Sequence, residues 1–161
     1  MTTNRPTARD IRLAAALTIH HRSNNREGMT DIGQEANEQG RANQLVHALL
    51  NLHRVYITQT RTLQGINFLG TWIQNMGNVK PTDDTARDIH RACRILDAHG
   101  RDDFDAINQT LRTAIAEQRV TQTLLALLDL YVMALPELSS SAGKSFLDGA
   151  VLALLEQEDL A

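Results

Sequence analysis

The chain carries one pentapeptide twice. Thr7-Ala8-Arg9-Asp10-Ile11 returns as Thr85-Ala86-Arg87-Asp88-Ile89, 78 positions later. With no gap, the same offset pairs Gln44 with Gln122, Ala48-Leu49-Leu50 with Ala126-Leu127-Leu128, and Leu52 with Leu130. It also pairs Gly65 with Gly143 and Phe68-Leu69 with Phe146-Leu147. A register kept over this distance points to two tandem copies of one unit, 1–78 and 79–161. Any fold for this chain must therefore be one that a single plan of apolar positions can build twice.

The plan has the period of helices. In the second copy, Ala86, Ile89, Ala92, Cys93 and Leu96 share one helical face over about 85–99, and Gly100 follows in the C′ position. Phe104, Ile107, Leu111, Ala114 and Ile115 are in phase over about 103–117. The stripe then slips and restarts at Val120, Leu124, Leu127, Leu128 and Tyr131, which places a break near Gln118 and a third helix to about Leu135, closed by Pro136. Phe146, Leu147, Ala150, Val151, Leu154 and Leu155 mark a fourth. The first copy gives helices at about 8–21, 25–39, 41–58 and 63–76. Its second helix is the weakest, because Gly33 and Gly40 have no glycine counterpart.

The caps repeat as well. Thr7 with Asp10 and Thr85 with Asp88 have the spacing of a capping box, as do Asn24 with Glu27 and Asp102 with Asp105. Thr62 and Ser140 are hydroxyl N-caps for the fourth helices. The expected fold is all-α: a single domain over 1–161, a bundle of about eight helices from two four-helix repeats about an approximate twofold. An open array of αα-hairpins is the alternative. The third helices are apolar on several sides, through Val46, Leu49, Leu50, Leu52 and Val55 and through Leu124, Leu125, Leu127, Leu128 and Leu130. Such helices belong at the centre of a bundle.

Composition sets outer limits. At 161 residues with 42% hydrophobic and 22% charged content, the chain reads as an ordinary globule. No apolar run is long enough to span a membrane, and residues 1–10 hold no apolar signal segment, so a cytoplasmic location is expected. Cys93 is the lone cysteine and falls on an apolar face, as a small core residue would. Residues 1–78 hold eight arginines and five acids, whereas 79–161 hold eight basic residues and fourteen acids. The two copies thus carry opposite net charge on a shared apolar plan.

Chemistry-bearing motifs are few. His20, His21, His47, His53, His90 and His99 lack the i, i+3 or i, i+4 spacing of a ligand set, so no metal and no cofactor is expected. His21 and His99 each fall at the end of a first helix, where the helix dipole favours a cation. Asp83-Asp84 and Asp102-Asp103 stand where helices begin and read as caps. Gly143-Lys144-Ser145 resembles the end of a phosphate loop, but Leu138 stands where the upstream glycine belongs. No catalytic residue is assigned.

The most distinctive polar stretch, His20, His21, Arg22, Asn24, Asn25 and Arg26, joins the first two helices and is the expected binding loop. Two arginines, two histidines and two asparagines there could hold a phosphate or touch nucleic acid. Its plainer role is a solvated loop that caps the next helix. The expected function is a non-catalytic protein-interaction module that binds a protein partner or itself. A nucleic-acid or phosphate-ligand binder using the basic first repeat is the alternative.

Overall fold

A computed structural model of the chain describes residues 5–160. These form eight α-helices and one short 3-10 turn, and no strand occurs among them. The helices are α1 Ala8–Arg22, α2 Arg26–Glu38, α3 Ala42–Thr60, α4 Leu63–Gly77, α5 Asp84–Gly100, α6 Phe104–Ala116, α7 Val120–Ala134 and α8 Ser141–Asp159. The 3-10 turn, Pro136–Ser139, follows α7 directly. No helix among the described residues is long and apolar enough to cross a membrane.

Their packing divides the chain into two units. One is continuous, 56–134, and holds the end of α3 with α4, α5, α6 and α7. The other joins 5–55 to 135–160 and holds α1, α2, most of α3, the 3-10 turn and α8. In the first-named unit α5 packs on α4, α6 and α7. In the other, α1 packs on α2 and α8. The fourth helix of each sequence half therefore lies with the first helix of the opposite half.

Within the discontinuous unit the core is aliphatic. Leu13, Leu17, Leu45, Leu49, Leu50, Leu135, Leu138 and Leu147 are buried, with Ala14, Ala15 and Ala48 letting backbones approach. The start of α1 is a capping box: Thr7 accepts from the Asp10 amide and donates its own amide to the Asp10 carboxylate at 2.7 Å. The carboxylate, 2% exposed as a residue, also accepts from Arg41 Nε at 3.0 Å and Nη2 at 2.5 Å. Burial alone would raise this carboxyl. The guanidinium and the two Thr7 hydrogen bonds outweigh it and hold Asp10 below its ordinary 3.8.

The continuous unit repeats these contacts with one substitution of partners. Asp88, 4% exposed, accepts from Arg119 Nε at 3.2 Å and also from Arg119 Nη2. Here Asp83, not Thr85, caps α5 by accepting from the Ala86 amide at 2.7 Å. Moving the cap upstream lengthens α5 by two residues relative to α1. Asp88 then takes Arg91 as well, at 3.4 Å, instead of a threonine.

The connections follow the same offset. Asn24 and Asp102 have φ of 57° and 54°, and Gly40 and Gln118 have φ of 64° and 58°. Each ends a helix in the left-handed region that Asn and Gly tolerate best. This displaces two expected caps by one residue. Asn25, not Asn24, accepts from the Gly28 amide, and Asp103, not Asp102, accepts from that of Ala106. Thr62 and Ser140 cap α4 and α8 as expected, each accepting from a glycine amide three residues on. The weak second helix forms fully as α2, with Gly33 inside it and Gly40 just beyond.

Two core expectations change. Leu49, Leu127 and Leu128 are buried, but Leu52 is only half-buried and its neighbour His53 is buried instead. Val55 and Leu125 are exposed, so α3 and α7 are not enclosed on all sides. Cys93 is buried, and burial pushes its thiol up to about 11, which makes it an inert packing residue.

The glycines at the matched positions 65 and 143 should respond oppositely to alanine. A Cβ on Gly143 would lie 2.4 Å from the Glu137 carbonyl oxygen and 2.5 Å from Leu138 Cα, in the backbone of the 3-10 turn. On Gly65 the nearest atom would be Thr62 Oγ1 at 3.4 Å. Urea unfolding should show Gly143→Ala losing about 1–3 kcal/mol. Gly65→Ala should change by no more than about 1 kcal/mol, in the stabilising direction.

His53 makes a second test. It is 1% exposed, and its Nδ1 donates to the Leu49 carbonyl at 2.8 Å. Burial pushes the imidazole down to about 4 against the pull of that bond, and the Arg22 guanidinium adds to the shift. The ring is thus neutral in the fold and takes up a proton below 6.5 when unfolded. Between these values the unfolded state binds more protons, so stability should fall by about 3 kcal/mol as pH drops from 6.5 to 4. His53→Leu should flatten most of that slope in thermal melts across the window.

Candidate functional site

The loop between α1 and α2 is built largely from bonds to itself and to its own unit. Arg22, the last residue of α1, donates from Nη1 to the Leu135 carbonyl at 2.9 Å and to Ser139 Oγ at 3.0 Å. Its guanidinium thereby ties α1 to the turn that precedes α8. Asn25 caps α2, and its amide nitrogen lies 3.1 Å from His20 Nδ1. The His20 ring leaves no room beside Gly28, where a Cβ would sit 2.6 Å from it. His21 is half-buried in the last turn of α1, and Asn24 supplies the left-handed residue of the connection. Arg26 is exposed in the first turn of α2. The structure therefore brings His20 and Asn25 together and sends Arg22 in another direction.

A different polar surface stands out in the continuous unit. A groove of about 720 Å³ is lined by the end of α4, one side of α5 and part of α6. Its cations are Arg87, Arg91 and Arg94 of α5 and Arg101 at the C-cap of that helix, with His90 between them. The spacing of four, three and seven residues keeps all of them on one face of the helix. Gln74 and Asn78 from α4 and Gln109 and Thr110 from α6 add neutral polar groups.

Most of the charge is balanced locally. Arg87 pairs with Asp84 at 3.1 Å, and both are exposed. Arg91 reaches Asp88 and Glu117. Arg101 lies 3.1 Å from Asp97, whose other oxygen accepts from Gln74 Nε2 at 3.2 Å. Arg94 is exposed and makes no ion pair among the described residues. The His90 imidazole registers the local field. Burial lowers it below 6.5, the Arg94 guanidinium lowers it further, and a hydrogen bond to the Gly77 carbonyl opposes both.

This groove escaped the reading of motifs because each arginine has an acid near it in sequence. The signal was present as the stripe 87, 91, 94, which a helical wheel of α5 displays. The groove offers hydrogen-bond donors and positive charge. Among the described residues, no group of three or more His, Cys, Asp or Glu is placed to hold a metal ion. No protein-family model, no curated protein and no solved structure matches this chain.

Proposed function

We propose that the chain is a non-catalytic helical interaction module, made by tandem duplication of a four-helix unit, that binds protein and associates with itself. The duplication is supported by features that keep the 78-residue offset: the extents of α2 and α6, the starts of α4 and α8, the left-handed pairs and the two Asp–Arg contacts. Sequence identity alone did not require these local geometries to agree.

The observation that carries the interaction reading is the outer face of α4. Leu63 is 74% exposed and Phe68 is 71% exposed on a helix whose other exposed side chains include Gln64, Asn67 and Thr71. Phe146, at the position of α8 that matches Phe68, is exposed too. Large side chains of this kind gain most from burial against a partner. The opposite charges of the sequence halves do not serve this reading. The discontinuous unit holds eight basic and ten acidic residues and the continuous unit eight and nine, so the packed units are nearly alike in charge.

Sedimentation of the purified chain should show a species heavier than one chain at about 100 μM, a concentration that populates weak dimers. Leu63→Glu with Phe68→Glu should return it to one chain without loss of helix. A chain that stays single throughout, and that binds nucleic acid at low salt through Arg22 and Arg26, would overturn the proposal.

A further inference from the structure

The arginine groove of the continuous unit is independent of the α4 surface and asks for a ligand of its own. Guanidinium groups present paired donors in a plane that matches the oxygens of a phosphoryl group. Arg94 is the one groove arginine here without an ion pair among the described residues, and it sits midway between Arg87 and Arg101 along α5. Seven residues of helix rise about 10 Å, so the three cations are spread over about 20 Å of helix axis. Converging on one phosphate would crowd these guanidiniums over a single group, whereas a chain of two or three phosphoryl groups lets the long side chains meet separate ones. A volume of about 720 Å³ suits a ligand of nucleotide size.

We propose that this groove binds a small molecule bearing a di- or triphosphate, with Arg94 as the principal contact and Arg87 and Arg101 at either side. Gln109 and Thr110 on α6 face the same groove and provide hydrogen bonds to the remainder of the ligand. Asp97 is the opposing element. It holds Arg101 by an ion pair at 3.1 Å, and a bound polyphosphate must draw that guanidinium away from it. A small ligand fits this setting better than a nucleic-acid polymer. The unit carries nine acids against eight basic residues, so a long polyanion would meet repulsion outside the groove that a small one avoids.

Isothermal titration calorimetry on the full chain tests this, with ATP, inorganic pyrophosphate and inorganic phosphate as probes at about 20 mM salt, where screening is weak. ATP and pyrophosphate should bind, and phosphate should bind far more weakly. Arg94→Ala removes an exposed side chain and should leave the thermal unfolding midpoint unchanged while weakening ATP about tenfold or more, as loss of a charge-assisted contact does. Asp97→Asn should act the other way and tighten ATP several-fold, because it removes a negative charge and releases Arg101. A merely structural role for Asp97 would give weaker binding instead. No heat with ATP or pyrophosphate, an ATP affinity untouched by Arg94→Ala, or a single-stranded oligonucleotide binding more tightly than ATP would each overturn the proposal. None of these results depends on whether the chain associates through α4.

Discussion

Each unit is organised around a buried carboxylate paired with an arginine from a distant turn, and Asp88 takes Arg91 as well. Asp10 lies in α1 and Asp88 in α5, and Arg41 and Arg119 come from the turns before α3 and α7. A carboxylate this deeply buried is costly unless paired, and removing one partner of such a pair costs several kcal/mol. The pairing therefore fixes where the turn must lie. That in turn explains the left-handed residue just before each arginine. Gly40 and Gln118 reverse the chain so that the amides of Arg41 and Arg119 bond back to Ala36 and Ala114 at 2.8 Å, and the side chains then reach the acid. Asp10 adds a capping role, so helix start, turn geometry and charge burial are one linked constraint in the discontinuous unit. In the continuous unit Asp83 has taken over the cap, and Asp88 is left to the arginines.

Much of the fold could be read from the residues, because helices announce themselves through period and punctuation. The all-α class, the break at Gln118 and the caps Thr7, Thr62 and Ser140 follow from local chemistry and occur as expected. The errors have a common physical origin. Asn24 and Asn25 are both good caps, and so are Asp102 and Asp103. Only the left-handed backbone at the first of each pair decides which side chain faces the helix. Leu52 and His53 differ by 100° around α3, and hydropathy favours burying the leucine. The structure instead buries the ring that can bond to the Leu49 carbonyl.

The long-range partners were not legible. Nothing in the pattern of α8 says that it packs on α1, since its apolar stripe would serve equally against α5. Net charge counted by sequence half is equally blind to packing. The halves differ by nine in net charge, but four of the second half's net six negative charges lie in 135–160, which packs with the basic stretch 5–55. The expected binding loop stands out in the sequence through its run of polar residues. Hydrogen bonding inside the unit employs His20, Arg22 and Asn25, and a sequence does not show which polar groups are already occupied. Conversely, the α5 arginines stand beside acids in the sequence, yet Arg94 pairs with none among the described residues.

The exchange of fourth helices bears on the order in which the chain can fold as it is made. The unit 56–134 is one uninterrupted stretch, so all its helices exist once α7 has left the ribosome. The other unit begins with α1 and is complete only with α8, because α1 must wait for α8. Domains fold as units during synthesis, and closing a long loop costs little more than closing a short one. The later-finished unit thus spends the making of the chain with one face of α1 uncovered. During that interval the face of α1 that α8 covers in the finished unit, marked by the Arg12 that pairs with Glu158, is open to whatever surface lies near, another nascent copy included.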